Sequence, residues 1–168
     1  MLDLEHQSGK VLALQGDKAT VSTLLISMAV KLQSRSKVLY IDSANTFNPL
    51  FIKDNYHKHT DLDLRRIMVA RPFTADQLMA IVSKLDAAAS QTRAKIFIIS
   101  DLDGLFYDQS LDENDACFMF SQVVETISRA ARKHDAVVLV GLTNRLSEAR
   151  GFRLDCMVRS ALDVCCPV

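Results

Sequence analysis

The chain has 168 residues, of which 49% are hydrophobic and 24% are charged, and its 20 basic side chains balance 20 acidic ones. This composition predicts one globular domain, residues 1–168, and the zero net charge excludes a general attraction to nucleic acid or to an anionic membrane. No run of about 18 apolar residues is present, which excludes a membrane-spanning helix, and the N-terminus is acidic where a signal peptide would be apolar.

Five short, continuous apolar runs are typical of strands that are buried on both faces of a parallel sheet. They are Val11–Leu14, Val38–Ile41, Ile67–Ala70, Ile96–Ile99 and Ala136–Leu142, with a last strand predicted at Ala161–Cys166. Between them, apolar residues at three- and four-residue spacing predict helices over Val21–Leu32, Leu78–Leu85 and Phe120–Ala131. Thr74 and Gln77 have the spacing of a capping box before the second of these, and Pro49 favours a short helix within residues 45–59.

This alternation predicts an α/β fold of three layers, with a mostly parallel central sheet and helices on both faces. In such folds, ligands bind beyond the carboxyl ends of the strands. The residues that fall there are Gly16, Asp42, Arg71, Ser100, Asp101 and 143–145.

The cysteines form no C-x-x-C pair, and two of them are adjacent within an apolar run. They are Cys117, Cys156, Cys165 and Cys166. Reduced core thiols are favoured over zinc ligands or disulfides, which indicates a reducing compartment, and we expect a cytoplasmic protein.

Four segments, in their order and spacing, resemble the RecA/RadA recombinase superfamily, especially the short archaeal RadA paralogues such as RadB. They are the strand-loop-helix at 11–32, VLYIDSANTF at 38–47, IMVARPF at 67–73 and AARKHDAVVLVGLTNR at 130–145. The resemblance covers roughly residues 9–165 and implies a RecA-like domain that descends from ATP-binding ancestors.

The phosphate-binding loop of that superfamily reads G-x-x-x-x-G-K-[ST], and its glycines let backbone N–H groups surround the phosphates. The equivalent stretch here is Gly16-Asp17-Lys18-Ala19-Thr20-Val21-Ser22-Thr23, in which valine and serine replace the second glycine and the lysine. The lost lysine removes charge-assisted hydrogen bonds of about 1.5–3 kcal/mol each, and Asp17 adds a negative charge beside the expected phosphates. A helix-capping loop is the favoured interpretation. The alternative is that Lys18 substitutes for the lost lysine and the loop still binds phosphate.

Three further positions depart from the pattern that the resemblance implies. Ala44 stands where active relatives have the acid that positions the attacking water, and Arg145 replaces the glutamine of Thr-Asn-Gln. Ser100 stands at the position of the magnesium-binding aspartate, with Asp101 one place late and expected to face the opposite side unless a bulge corrects it. The sequence therefore predicts a pseudo-ATPase without a bound cofactor, and ATP with magnesium on a non-standard loop is the alternative.

The resemblance implies an accessory protein in homologous recombination and DNA repair, acting by contacts with a recombinase or another repair protein. Exposed edges and the vacated nucleotide face would also serve a homodimer. A different enzyme class is suggested by Asp101-Leu102-Asp103-Gly104, which resembles the first motif of magnesium-dependent haloacid-dehalogenase-type phosphatases. That motif normally opens its fold, whereas four predicted strands precede it here.

DNA contact is predicted to be weak. Residues 101–115 contain six acids and no Lys or Arg, which repels phosphate. A basic loop with one aromatic could hold single-stranded DNA, or it could be an ordinary solvated loop; its residues are Arg145, Arg150, Phe152 and Arg153. His57 and His59 lack a neighbouring carboxylate or cysteine cluster, so a surface loop is favoured over a metal site.

Overall fold

A computed structural model describes residues 7–56, 62–143 and 164–168, and within them strands and helices alternate as predicted. The strands are β1 (Val11–Gly16), β2 (Val38–Asp42), β3 (Ile67–Ala70), β4 (Ile96–Ser100), β5 (Val137–Thr143) and β6 (Val164–Pro167). The helices are α1 (Lys18–Leu32), α2 (Pro49–Tyr56), α3 (Ala75–Ser83), α4 (Leu85–Thr92) and α5 (Glu113–His134). The predicted α/β class is confirmed, and so is the short helix that begins at Pro49.

The six strands form one parallel sheet in the order β3-β2-β4-β5-β1-β6. β1 is thus separated from β4 by β5, and β6 pairs with β1 on its other side. The register pairs Asp42 with Ser100 at the ends of β2 and β4, and Gly16 with Thr143 at the ends of β1 and β5. Polar or small residues from four strands therefore meet at one edge of the sheet.

Both faces of the sheet are covered, which explains why the strand sequences are continuously apolar rather than alternating. In β4, Ile96 and Ile98 face the cluster that α1 and α2 complete, whereas Phe97 and Ile99 face the cluster formed with α3, α4 and α5. All four side chains are buried. The three-layer arrangement therefore follows from two separate apolar cores on either side of one sheet.

The predicted helix through Leu85 was wrong at its end, because α3 stops at Ser83 and a separate helix, α4, begins at Leu85. The N–H of Lys84 donates to the carbonyls of Ile81 and Val82, which tightens the last turn of α3. The predicted cap at the other end is confirmed, since Thr74 Oγ1 accepts from the Gln77 N–H at 3.2 Å.

A polar clamp joins α4 to α5. Asp86 Oδ2 accepts from Lys133 Nζ at 2.8 Å, and Asp86 Oδ1 lies 2.6 Å from His134 Nε2. The hydrogen bond from Lys133, followed by the contact with His134, lowers the pKa of Asp86.

Two cysteines have described side chains, and both are free thiols. Cys117 packs against the cluster of α3, α4 and α5, and Cys166 packs against the cluster of α1 and α2. Each is half-buried rather than fully buried. The side chains of Cys156 and Cys165 lie outside what the structure describes.

Candidate functional site

The stretch that resembles a phosphate-binding loop is helical almost from its start. α1 begins at Lys18, two residues after Gly16, and the N–H of Val21 donates to the Asp17 carbonyl at 3.0 Å. Asp17 is the N-cap, and its Oδ1 accepts from the Thr20 N–H at 3.0 Å. The residues that would surround phosphates with free backbone N–H groups are thus already part of the first helical turn.

The carboxylate of Asp17 occupies the place at the helix end where an anion would bind. Hydrogen bonds from the Thr20 side chain and then from its backbone N–H lower the pKa of Asp17, so this group is ionised at neutral pH. Helix N-termini attract anions because their first N–H groups lack partners. At α1, one of these N–H groups, that of Thr20, already donates to the Asp17 carboxylate.

The two substituted loop residues are core residues. The side chains of Val21 and Ser22 are only 3% and 6% exposed, and Val21 belongs to the cluster that α1 forms with the sheet. A methyl group added at Gly141 would lie 2.8 Å from Val21 Cγ1 and 2.8 Å from Leu25 Cδ1, which shows how closely α1 approaches β5. Val21 therefore fills space between helix and sheet, and its helical backbone carries no left-handed strain.

The retained first glycine of the stretch has a packing role. A Cβ on Gly16 would lie 2.6 Å from the carbonyl oxygen of Val168, closer than such contacts occur. The N–H of Val168 donates to the Gln15 carbonyl at 2.9 Å, which holds that backbone against β1. Gly16 is thus explained by a close backbone approach, independently of any phosphate.

Asp42, at the end of β2, is a fully buried carboxylate that binds groups from separate segments of the chain. It accepts from Thr46 N–H (3.0 Å), Phe47 N–H (3.0 Å), Ser100 Oγ (3.2 Å) and Arg71 (Nε 3.0 Å, Nη2 2.9 Å). The sequence placed Asp42 and Arg71 at this edge but did not predict that they pair. A buried charge of this kind is tolerated only when it is paired and fully hydrogen-bonded, which is the case here.

Ala44 and Ser100, which the sequence resemblance aligns with a catalytic acid and a magnesium-binding aspartate, are joined to each other in this chain. The N–H of Ala44 donates to Ser100 Oγ at 3.1 Å, and the same hydroxyl donates to Asp42. Both residues are buried, Ala44 at 5% and Ser100 at 0% exposure. Ser100 therefore ties the loop after β2 to the end of β4.

Asp101 follows the last residue of β4 and has a left-handed backbone, with φ +48°. Its Oδ1 accepts from Thr143 Oγ1 at 2.7 Å, and its Oδ2 lies 4.0 Å from Lys18 Nζ. The expectation that Asp101 faces away from its strand neighbour rested on continued strand geometry, which ends at Ser100. The carboxylate instead points toward β5 and the start of α1, and Lys18, the suggested substitute for the lost lysine, pairs with it.

The aspartates of the phosphatase-like motif are both shielded from solvent. Asp101 is 6% exposed and Asp103 is 2% exposed. The carbonyl of Asp103 accepts from the Phe106 N–H in a 3₁₀ turn over Gly104–Tyr107. A nucleophilic carboxylate needs access to a phosphate ester, so this burial gives the phosphatase alternative no support.

Several acids of the loop after β4 have local structural partners. Asp112 is the N-cap of α5 and accepts from the N–H groups of Asn114 and Asp115. Asp108 accepts from the Ser110 N–H at 2.9 Å. The candidate DNA-contact residues Arg145, Arg150, Phe152 and Arg153 lie outside the described residues, as do His57 and His59.

Among residues 7–56, 62–143 and 164–168, no three His, Cys, Asp or Glu side chains lie close enough together to hold a metal ion. None of the helices in that part of the chain is long and apolar enough to cross a membrane.

A family model described as Rad51 matches residues 13–152, a stretch that runs from β1 past the end of β5. The match covers well over half of the chain and includes all of the strand ends described above. No curated protein matches the chain.

Proposed function

The chain belongs to the Rad51 family, and from this premise we propose that it is a non-catalytic, RadB-like member that acts in homologous recombination and DNA repair by binding a recombinase or another repair protein. The family supplies the RecA-like fold and the biological process. The substitutions at the carboxyl edge of the sheet are the reason for proposing that catalysis has been lost.

The observation that carries the proposal is the start of α1. A phosphate-binding loop keeps the residues between its two glycine positions as a loop around the phosphates, whereas here helix α1 begins directly after Asp17 and buries Val21. Binding ATP in the family's manner would require this first turn to unwind. It would also expose Val21 and remove the hydrogen bond between Asp17 and Thr20.

Charge at the same place also disfavours phosphate. Asp17 caps the N-terminus of α1, and the carboxylate of Asp101 lies 4.0 Å from Lys18 Nζ in the first residue of that helix. A nucleotide would have to bring its phosphates next to both acids. Lys18 offsets only one of the two carboxylates, so this place is net negative without a ligand.

Hydrolysis would additionally need a base and a metal-binding acid. Ala44 has no group that could position water, and Ser100 donates its hydroxyl to Asp42 rather than offering a carboxylate. These features support a pseudo-ATPase over the alternative of an ATPase with a non-standard loop.

A docking surface for a partner protein is supported by the edge of the sheet at β3, beyond which no strand of the described residues pairs. Val69 on this strand is 41% exposed, and Phe73 just beyond it is 63% exposed. An exposed strand edge beside a large apolar side chain suits the addition of a strand from another chain. The partner would be a recombinase, and a second copy of this chain is the alternative occupant.

Calorimetric titration with ATP and magnesium, together with a phosphate-release assay, tests the loss of catalysis. We expect no hydrolysis and no magnesium-dependent binding tighter than about millimolar. An ATP-hydrolysing member of the Rad51 family, measured under the same conditions, is the positive control. A micromolar, magnesium-dependent dissociation constant that Lys18→Gln weakens would contradict the proposal and support the non-standard loop.

Docking is tested separately, by sedimentation velocity of the chain alone and mixed with a recombinase from the same organism. We expect a mixed complex that Phe73→Ser weakens and that the exposed control Phe118→Ser on α5 leaves intact. Self-association in the absence of the recombinase would favour the homodimer instead.

A further inference from the structure

A cavity of about 610 Å³ lies at the opposite edge of the sheet from the site described above. It is formed where β2, β4 and β5 begin and where α1 and α4 end. Its basic lining residues are Arg35, Lys37, Arg66, Arg93 and Lys95, and the rest of its lining is Leu32, Ser36, Thr92, Ile96, Asp135 and Val137. Strands of five residues separate the two edges by roughly 15 Å.

The lining is strongly positive, although the basic and acidic residues of the whole chain are equal in number. Asp135 is its one acid, and Asp135 Oδ1 accepts from Ser8 Oγ. Within the described part of the chain, Lys37, Arg66 and Arg93 form no ion pair. Cations gathered without counter-charges repel one another, so an anion placed among them is stabilised.

Arg66 is the most informative of these side chains. Its Nε is shielded from solvent and has no hydrogen-bond acceptor among the described residues. The nearby Asp63 is engaged by Arg65, whose Nε and Nη2 donate to it at 2.8 and 3.1 Å. A shielded donor of this kind gains a partner if an anion enters the cavity.

Helix ends account for part of the positive charge but not for all of it. The carboxyl ends of α1, α4 and α5 lie at this edge, and cations near such ends are favourable. Lys95 Nζ donates to the His134 carbonyl at the end of α5, and Arg93 follows the end of α4. Lys37 precedes β2, and Arg66 ends only the three-residue 3₁₀ turn before β3, so the ends of the α-helices do not explain their positions.

We infer that this cavity is an anion-binding site for a small organic phosphate, with the phosphate held by Lys37 and Arg66 and the less polar part of the ligand resting on Leu32, Ile96 and Val137. The cavity volume falls in the range of about 300–1,000 Å³ that is usual for small-molecule sites. An apolar floor beneath a cationic rim suits a ligand that has both kinds of surface. The site is separate from the proposed loss of catalysis, because it shares no residue with the carboxyl edge.

Calorimetric titrations of the full chain with ADP, pyrophosphate and adenosine, in magnesium-free buffer containing a chelator, test the inference. We expect ADP and pyrophosphate to bind with dissociation constants of about millimolar or tighter, and uncharged adenosine to bind at least about tenfold more weakly than ADP. Lys37→Gln and Arg66→Gln should each weaken ADP binding at least about fivefold. Arg93→Gln, at an exposed position, is a third cavity variant if Arg66→Gln does not fold.

Two lysines outside the cavity serve as matched controls. Lys53→Gln on α2 and Lys18→Gln at the opposite edge should leave ADP affinity unchanged. Loss of binding in Lys18→Gln alone, or no heat from ADP or pyrophosphate at several times millimolar concentration, would overturn the inference. If the chain does not bind ADP but binds a single-stranded oligonucleotide, and if the cavity variants abolish that binding, the inference is overturned and the cavity is a nucleic-acid site.

Discussion

Replacing Val21 by glycine restores the residue that the phosphate-loop pattern of the Rad51 family has at this position, and the structure predicts a large loss of stability. Val21 is 3% exposed, lies in the first turns of α1 and packs where that helix approaches Gly141. If the stretch were a latent phosphate-binding loop, the same change would cost little and would improve nucleotide binding. The substitution therefore separates the two descriptions of this segment.

The magnitude follows from packing and backbone contributions. Removing two buried methyl groups costs about 0.8 kcal/mol each, and the cavity left beneath the helix adds to this, giving about 2 kcal/mol for Val21→Ala. Glycine removes the remaining carbon and costs roughly 1 kcal/mol more in a helix. We expect Val21→Gly to lower the free energy of unfolding by about 3 kcal/mol, or the melting temperature by about 10 °C.

Urea unfolding followed by circular dichroism, with the slope compared between variants, is the assay. Thr23→Gly is the matched control, because Thr23 is exposed in the same helix and should lose well under 1 kcal/mol. A Val21→Gly protein as stable as the parent, or one that gains magnesium-dependent ATP binding, would refute the helical description of the loop.

Three further predictions concern stability. Asp42→Asn removes the charge at the centre of a buried network and should cost about 3 kcal/mol in urea unfolding, with a similar value for thermal unfolding evaluated at the melting temperature. Gly16→Ala places a Cβ 2.6 Å from the Val168 carbonyl, so we expect a loss of about 1–3 kcal/mol and faster hydrogen exchange of the Val168 N–H. Asp86 has a lowered pKa in the folded protein through Lys133, so its contribution to stability is complete above the unfolded value of about 3.9 and is lost as the pH falls through the lower folded value. Asp86→Asn should therefore destabilise the chain at pH 7, and the difference from the parent should shrink toward pH 3.

The sheet was predictable because its signal is local. Each strand buried on both faces is a continuous apolar run, and the structure extends four of the five runs by one or two residues at their carboxyl ends, whereas β3 ends with its run at Ala70. Gln15 and Gly16, for example, continue the ladder of β1 although neither is apolar. Such residues are paired through the backbone, which hydropathy does not detect.

The break between α3 and α4 was missed for a related reason. Lys84 ends α3 through backbone hydrogen bonds and carries no glycine or proline signal. Leu85 continued the apolar spacing of α3, yet it opens α4 and is buried there at 3% exposure. The spacing of apolar residues predicts which side chains are buried. It does not reveal the break between the helices, because both of them pack on the same face of the sheet.

The network around Asp42 and the basic cavity could not be predicted, because their members come together only through the strand order. Ser100 is 58 residues from Asp42 along the chain, and Arg71 is 29 residues away. The cations of the cavity belong to three separate connections and form no motif. At the degenerate loop a local signal was present, since Asp17 is a preferred N-cap residue directly before the apolar stripe of α1.

On the proposed loss of nucleotide binding, restoring it would take more than replacing the lost lysine. The cap at Asp17 is worth about 0.5–2 kcal/mol and the burial of Val21 about 1.5–3 kcal/mol, so opening the first turn of α1 costs about 2–5 kcal/mol. A ligand that requires this opening loses that free energy from its binding, which corresponds to roughly one and a half to three and a half orders of magnitude in affinity. Ser22→Lys alone would add a buried cation while leaving the helix closed. We therefore propose that the packing of α1 against β5 keeps the loop closed to phosphate, and that this depends on Val21 as much as on the missing lysine.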